Sequence, residues 1–130
     1  MRPIDAAGAV TIVTAKPFGP APGRFSTRGA IAESGTFLNS SLIIDRPGRQ
    51  CSVTVHVTQR FTGERGAFTL RAAITERATG DPHVLDDDGT WAIIGGTGAY
   101  ASLRGGGCVM GTADDACDLI SRTYEGVARF

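Results

Sequence analysis

Two stretches of alternating polarity constrain the fold of this chain more than any other feature. In residues 52–61 and 67–79, alternate positions on one face carry apolar side chains: Val53, Val55, Val57, Phe61, Phe68, Leu70, Ala72 and Ile74. A period of two is typical of β-strands with one buried face, because successive side chains point to opposite sides. The intervening segment, TGERG, has the composition of a turn. The sequence therefore predicts an antiparallel β-hairpin.

The two apolar faces also indicate the register of this hairpin. If residues 63–66 form the loop, Phe61 lies opposite Phe68 and the apolar faces coincide. A slip of one residue would turn one of the faces to solvent. The same register places Gln59 and Glu76 on the apolar face. Polar groups in that position must be hydrogen-bonded or line a cavity.

The rest of the chain alternates between β-rich segments and turns. The β-rich segments are residues 9–15, 31–37, 41–45, 91–94, 105–110 and 118–130. Loops are expected at residues 16–23, 80–88 and 111–116. Seven or eight strands at hairpin spacing predict one all-β domain over residues 1–130, either a sandwich or a closed barrel. Residues 1–23 are expected to form its N-terminal strand and a Pro/Gly-rich loop.

Charge and hydropathy argue against several classes of partner. Thirteen basic residues balance thirteen acidic ones, whereas a nucleic-acid binder usually carries an excess of Lys and Arg. The chain has no apolar run long enough to cross a bilayer and no N-terminal leader pattern. We therefore expect a cytoplasmic protein that binds neither nucleic acid nor membrane.

The three cysteines, Cys51, Cys108 and Cys117, are too few for a disulfide framework. They lack the Cys-x-x-Cys spacing that is common in zinc sites. We expect buried, reduced thiols, as is usual for a cytoplasmic protein. The alternative is a bridge between Cys108 and Cys117, which flank a predicted hairpin loop.

A glycine-rich motif, GTWAIIGGTGAYASLRGGG, covers residues 89–107. The glycines of its Gly-Gly-Thr-Gly turn permit a chain reversal through positive φ, and Tyr100 can pack its ring over the corner. We interpret the motif as structural. It is not a dinucleotide-binding fingerprint, because that motif requires a helix after its glycines and no helical pattern follows Gly98.

This motif resembles the strand and turn of the allene oxide cyclase and dirigent β-barrel superfamily. The matching residues are Ile93, Ile94, Gly95, Gly96, Thr97, Gly98, Tyr100, Arg104 and Gly105. The upstream hairpin at residues 61–68 resembles that of small bacterial members of the superfamily. The resemblance extends over residues 31–130 and concerns the fold more than the activity.

The resemblance implies a closed antiparallel barrel of about eight strands, assembled as a homodimer or homotrimer. Members of the superfamily bind hydrophobic, reactive molecules inside the barrel without a cofactor. Plant members cyclise an unsaturated epoxide or guide phenoxy-radical coupling, and related bacterial barrels act as polyketide cyclases. No catalytic residue can be carried over, because the pocket residues lie outside the matching motif.

Candidate catalytic residues follow from the predicted strand faces. Glu76 interrupts an apolar face, where burial would raise the pKa of its carboxyl group and suit it to acid or base catalysis. The alternative is that Glu76 lies in water at the barrel rim. Arg122 and Tyr124 are two residues apart, so both can point at one ligand oxygen. The alternative is that both face solvent or a neighbouring subunit.

Residues expected to bind a small hydrophobic ligand are Gln59, Trp91, Glu33, Val55, Val57, Leu70 and Tyr100. Trp91 could line a cavity wall, but a lone tryptophan is more often simply a core residue. His56, on a polar face, and His83, in an acidic loop, are interpreted as solvated or interface residues. Residues 86–88 are three aspartates, but they lack the alternating spacing of a calcium loop, so we expect a solvated turn and no metal site.

Three hypotheses about function remain open. The first is a cofactor-free cyclase or isomerase that acts on a polyketide-like or other lipophilic biosynthetic intermediate. The second is a non-catalytic barrel that binds or guides a small hydrophobic ligand. The third is a filled barrel that serves only as an oligomerisation module. The many small residues favour a hollow interior, although small residues also relieve crowding in a barrel.

Overall fold

A computed structural model describes residues 8–45 and 52–130, which form one closed antiparallel β-barrel. Each strand pairs with the next along the chain, and β8 pairs with β1. The strands are β1 (Gly8–Lys16), β2 (Gly23–Gly29), β3 (Ser34–Asp45), β4 (Ser52–Gly63), β5 (Gly66–Ala78), β6 (Val84–Gly96), β7 (Arg104–Asp114) and β8 (Leu119–Arg129). The prediction of a closed eight-stranded barrel is confirmed.

The register of the β4–β5 hairpin is the one predicted from its apolar faces. Phe61 pairs with Phe68, and Gln59 pairs with Leu70. Gly66 begins β5 with a φ of 144°, a conformation that favours glycine. Because the two glycines at residues 63 and 66 are themselves paired, the loop contains only residues 64 and 65.

The structure corrects two predicted loops. β6 begins at Val84, so residues 84–88 belong to a strand and not to a polar loop or a solvated turn. β7 runs on to Asp114, so most of the loop predicted at residues 111–116 is also strand. Both errors have one cause. Glycine and aspartate are common in turns, but flanking strands on both sides can hold them in a sheet.

The expectation of buried cysteines is wrong for two of the three. Cys108 and Cys117 are exposed free thiols, and Cys51 lies outside the described residues. The bridge between Cys108 and Cys117 is also absent. Cys108 lies inside β7 and Cys117 follows its end. At about 3.3 Å per residue, the strand keeps their Cα atoms well beyond the roughly 7 Å limit of a disulfide.

One end of the barrel, which we call the aromatic end, is filled by stacked rings. The centroid of Phe61 lies 5.0 Å from Phe25, 5.0 Å from Phe37 and 5.1 Å from Phe68. These are packing distances for aromatic pairs. The expectation of a hollow interior therefore fails at this end, which has no room for a substrate-sized molecule between the rings.

The glycine-rich motif closes the aromatic end, as its structural interpretation predicts. Thr97 Oγ1 accepts a hydrogen bond from the amide of Ala67 at 3.1 Å, and Gly98 has a φ of 59°. A short 3₁₀ turn, Gly98–Tyr100, then directs the buried ring of Tyr100 against Phe68. The turn thus covers the barrel end with an aromatic side chain.

The barrel wall is incomplete beside β3. Strands β2 and β3 share only four residue pairs, from Gly23–Phe37 to Ser26–Ser34. Beyond Phe37, β3 continues to Asp45 paired with β4, with a register shift between Asn39 and Ser41. Residues 38–45 therefore form a strand that projects past the end of β2.

None of the helices in the described part of the chain is long and apolar enough to cross a membrane.

Candidate functional site

A cluster of charged side chains lies in the barrel end opposite the aromatic rings, which we call the polar end. Glu76 on β5 pairs with Asp87 on β6, Asp87 pairs with Gly111 on β7, and Gly111 pairs with Arg122 on β8. Paired residues of antiparallel strands point to the same side of a sheet. Three charged side chains therefore converge inside the barrel from strands β5, β6 and β8.

Arg122 lies between the two carboxyl groups. Its Nε atom donates a hydrogen bond to Asp87 Oδ2 at 3.0 Å, and its Nη2 atom lies 3.9 Å from Glu76 Oε2. Gly111 leaves space for this arginine, because an added Cβ would lie 2.8 Å from Arg122 Cγ. It would also lie 2.1 Å from the carbonyl oxygen of Ser121, so this position accepts only glycine.

The three charged side chains differ in their access to solvent. The side chain of Glu76 is 17% exposed, that of Arg122 is 9% exposed and that of Asp87 is fully buried. Burial raises the pKa of both carboxyl groups, and the charge of Arg122 opposes this rise. Asp87 adds to the raised pKa of Glu76 by charge repulsion. Glu76 is thus the member of the cluster that is most accessible to a ligand, followed by Arg122, whereas Asp87 is out of reach.

The second oxygen of Asp87, Oδ1, is buried and has no hydrogen-bond partner among the described residues. An ionised oxygen in that position is unfavourable, because burial removes its hydration without a compensating donor. The raised pKa of Asp87 has the same origin. With one arginine for two carboxyl groups, burial and repulsion from neighbouring carboxylates raise the pKa of both carboxyl groups more than the single positive charge lowers it.

A chain of neutral polar groups crosses the barrel interior beside this charged cluster. The buried hydroxyl of Tyr124 donates to Gln59 Oε1 at 2.6 Å, and Gln59 Nε2 donates to Asn39 Oδ1 at 3.0 Å. Burial raises the pKa of Tyr124, which therefore keeps its proton at neutral pH. The chain links the barrel centre to exposed Asn39 on the projecting part of β3.

Lys16, the last residue of β1, is buried at the polar end of the barrel. Its Nζ atom donates to the carbonyl oxygens of Pro17 at 2.6 Å and Gly19 at 2.8 Å. Burial lowers the pKa of Lys16, and the nearby charge of Arg122 lowers it further. The lysine thus holds the β1–β2 loop against the barrel end, a role that its sequence neighbourhood did not reveal.

Apolar side chains on β3 form an open wall, which β4 separates from Glu76 on β5. Leu42 pairs with Val57, and Ile44 pairs with Val55. Val55 and Val57 are buried in the barrel, so Leu42 and Ile44 face the same side, yet both are exposed. This wall gives the polar end an apolar surface on the side of the sheet to which the carboxyl group of Glu76 points.

The structure brings together four of the residues predicted from the sequence: Glu76, Arg122, Tyr124 and Gln59. The predicted alternatives, in which Arg122 and Tyr124 face solvent, are wrong, because both side chains are buried. Glu76 lies near the end of β5 without being fully exposed to water. Val55 lies next to the site, since it pairs with Ile44.

Three of the other predicted ligand-binding residues, Val57, Leu70 and Trp91, are core residues. Val57 and Leu70 are buried in the hydrophobic core. Trp91 is buried, and its Nε1 atom donates to the carbonyl oxygens of Cys108 at 3.0 Å and Glu125 at 3.3 Å. Its indole therefore braces β6 against β7 and β8.

Glu33 and Tyr100 lie at the aromatic end, away from the charged cluster. The hydroxyl of Tyr100 donates to Glu33 Oε2 at 2.6 Å, and the amides of Glu64 and Arg65 donate to the same carboxylate at 3.3 Å. The hydrogen bond from Tyr100 is the largest cause of the lowered pKa of Glu33. These contacts use both carboxylate oxygens to join three loops, so Glu33 has a structural role at this end of the barrel.

The two histidines lie on the surface, in agreement with their interpretation as solvated residues. His56 is exposed on the outer face of β4. His83 Nδ1 lies 2.8 Å from Asp115 Oδ1, which joins the β5–β6 and β7–β8 loops. Neither histidine reaches the charged cluster.

Sequence reasoning missed Asp87, the carboxyl group that holds Arg122. Its signal was present but weak: Leu85, Asp87, Gly89 and Trp91 alternate with more polar neighbours. The run of three aspartates masked this alternation and favoured a turn. In the described part of the chain, no group of three or more His, Cys, Asp and Glu side chains is arranged to hold a metal ion.

Comparisons with known proteins gave no match to a family model, to a curated protein or to a solved structure. The resemblance to the allene oxide cyclase and dirigent superfamily therefore stays a prediction from the glycine-rich motif.

Proposed function

We propose that this protein is a cofactor-free cyclase or isomerase that moves a proton on a small lipophilic molecule at the polar end of the barrel. The observation that carries the proposal is the position of Arg122 between a buried carboxyl group and a reachable one, Asp87 and Glu76. A reachable carboxyl group with a raised pKa is a stronger base than an ordinary carboxylate, which suits it to exchange protons with a substrate.

Each member of the cluster has a separate role in this proposal. Glu76 takes a proton from one carbon of the substrate and returns it to another position, so no oxidant or reductant is needed. Arg122 stabilises negative charge that develops on a substrate oxygen. Asp87 is a positioning residue, since it holds Arg122 at 3.0 Å and has no solvent access of its own.

The packing of the barrel restricts where the substrate binds. The aromatic end is filled by Phe25, Phe37, Phe61 and Phe68. The apolar wall of Leu42 and Ile44 is exposed on the barrel side of β3, the side to which Glu76 also points, with β4 between them. A lipophilic substrate would bury apolar area against this wall and present its polar group to Glu76 and Arg122. The resemblance to cyclase barrels supports the same substrate class.

One observation favours the alternative of a non-catalytic binding barrel. The side chains of Asp87 and Tyr124 are fully buried, so neither contacts a ligand without rearrangement. Only Glu76 and Arg122 then remain to orient a bound molecule. These two side chains are sufficient for a protein that binds a ligand without catalysis.

The proposal can be tested without knowing the natural substrate. The protein is incubated in D₂O with a panel of small lipophilic β-diketones and enones, and hydrogen exchange next to the carbonyl is followed by NMR. We expect exchange above the buffer rate with the native chain and a loss of that excess in Glu76→Gln. Glu125→Gln is the matched control, because Glu125 is exposed on the outer face of β8.

Two outcomes of this experiment would change the proposal. Equal exchange by the native chain and Glu76→Gln would overturn the assignment of Glu76. Saturable binding of panel members without any exchange would favour the binding barrel. A compound that co-purifies with the protein in native mass spectrometry would then identify the ligand class directly.

A further inference from the structure

The projecting part of β3, residues 38–45, has one edge without a backbone partner in the part of the chain that the structure describes. On one side it pairs with β4 through Asp45–Thr54. On the other side, pairing with β2 ends at Gly23–Phe37. Alternate residues of such an edge direct their N–H and C=O groups outwards, where they form a template for another strand.

Apart from the register shift between Asn39 and Ser41, this edge lacks the features that usually protect a free strand. Its sequence, LNSSLIID, contains no lysine, no proline and no charge before Asp45. Leu38, Leu42, Ile43 and Ile44 are all exposed large apolar side chains. An uncharged apolar edge strand of this kind pairs readily with a second strand unless it is covered.

The side-chain pattern of the edge is complementary to itself. Residues 41–45 follow the register shift and alternate regularly, with Leu42 and Ile44 on the barrel side and Ile43 on the outer side. In an antiparallel pair of two copies centred on Ile43, each Leu42 lies opposite the Ile44 of the other copy. Ser41 then lies opposite Asp45 of the other copy, and the Asp45 carboxylate can accept a hydrogen bond from the Ser41 hydroxyl.

We propose that two copies of this chain pair through β3 around a two-fold axis at Ile43, which joins the two barrel walls into one continuous sheet. A second copy is the occupant that fits. Pairing around Ile43 places the barrel-side residues of one copy opposite barrel-side residues of the other, and outer residues opposite outer residues. It also keeps the two Asp45 carboxylates apart. The pairing supplies the backbone hydrogen bonds that the edge lacks.

The pairing also extends the apolar wall of the polar end. Leu42 and Ile44 of the second copy lie on the barrel side of the joined sheet, beside their equivalents in the first copy. This dimer does not depend on the catalytic proposal, since it rests on the edge and its side chains alone. A single strand pair buries less than the roughly 800 Å² per partner of a standard interface, so we expect dissociation in the micromolar range.

Sedimentation velocity of the full chain across the micromolar range tests the dimer. We expect a monomer–dimer equilibrium for the native chain and a monomer for Ile43→Lys, which would place two like charges at the two-fold axis. The matched control is Ile94→Lys. Both isoleucines are exposed strand residues, Ile43 at 63% and Ile94 at 48%, but Ile94 lies on β6.

A second variant locates the axis. In Ile43→Cys, mild oxidation should join two copies through residue 43, because directly opposed Cβ atoms of paired strands lie about 5 Å apart. The cross-link is identified by peptide mass and compared with the native chain and with Ile94→Cys. A native chain that stays monomeric, a dimer that survives Ile43→Lys, or a cross-link no more frequent than in Ile94→Cys would each overturn the proposal.

Discussion

Arg122 on β8 donates a hydrogen bond to Asp87 on β6, with 3.0 Å between Nε and Oδ2. The side chain of Arg122 crosses β7 at Gly111, which has no side chain. The glycine at residue 111 makes this contact possible, since any Cβ there would collide with the arginine. The contact places a positive charge inside the barrel, where Glu76 is its second neighbour.

This contact predicts strong coupling between Arg122 and Asp87. Arg122→Met should lower the free energy of unfolding by about 3 to 5 kcal/mol at neutral pH, because it leaves buried acidic groups without their counter-charge. Adding Asp87→Asn should restore part of that loss. Chemical denaturation of the two single variants and the double variant measures the coupling, and strictly additive losses would contradict it.

The network at the aromatic end predicts a pH-dependent effect of Tyr100→Phe. Loss of a hydrogen bond to a charged carboxylate should cost about 1.5 to 3 kcal/mol at neutral pH. The pKa of Glu33 is lowered in the folded protein, so this stabilisation exists above its ordinary value of 4.5 and disappears as pH falls through the lowered value. The free energies of unfolding of the native chain and the variant should therefore differ at neutral pH and converge at acidic pH. A difference that is constant with pH would assign the effect to packing alone.

The pair of His83 and Asp115 predicts a small stabilisation with the opposite pH dependence, because it is present at low pH and lost at high pH. Asp115 raises the pKa of His83 above its ordinary value of 6.5 through their hydrogen bond and its charge. The contribution is present in full below that ordinary value and is lost as pH rises through the raised one. Asp115→Asn should thus lower the melting temperature at about pH 5.5 and have little effect at about pH 8.5. An equal shift at both pH values would show that the charge of His83 is not involved.

The hairpin and the strand faces were predictable from the sequence, because alternation is a local signal. It placed Gln59 and Glu76 on the inner face of their strands, and the spacing of Arg122 and Tyr124 placed both on one face. Which face of β8 points inwards was not predictable, since a period of two is compatible with either choice.

Long-range contacts could not be predicted in the same way. The partners Glu33 and Tyr100 are separated by 67 residues, and no local pattern links a loop carboxylate to a distant aromatic residue. Asp87 was missed because aspartate and glycine have a low preference for strands, which its pairing with Glu76 and Gly111 overrides. The filled aromatic end was missed because alternation shows which side chains point inwards, but not how closely they pack.

The most direct test of the proposed site is the titration of the Glu76 carboxyl group, followed by its ¹³Cδ chemical shift in NMR and assigned by comparison with Glu76→Gln. We predict a midpoint above the ordinary pKa of 4.5, because burial and the neighbouring Asp87 outweigh the charge of Arg122. A midpoint at or below 4.5 would mean that Glu76 is a plain salt-bridge partner, and it would contradict a role in proton transfer.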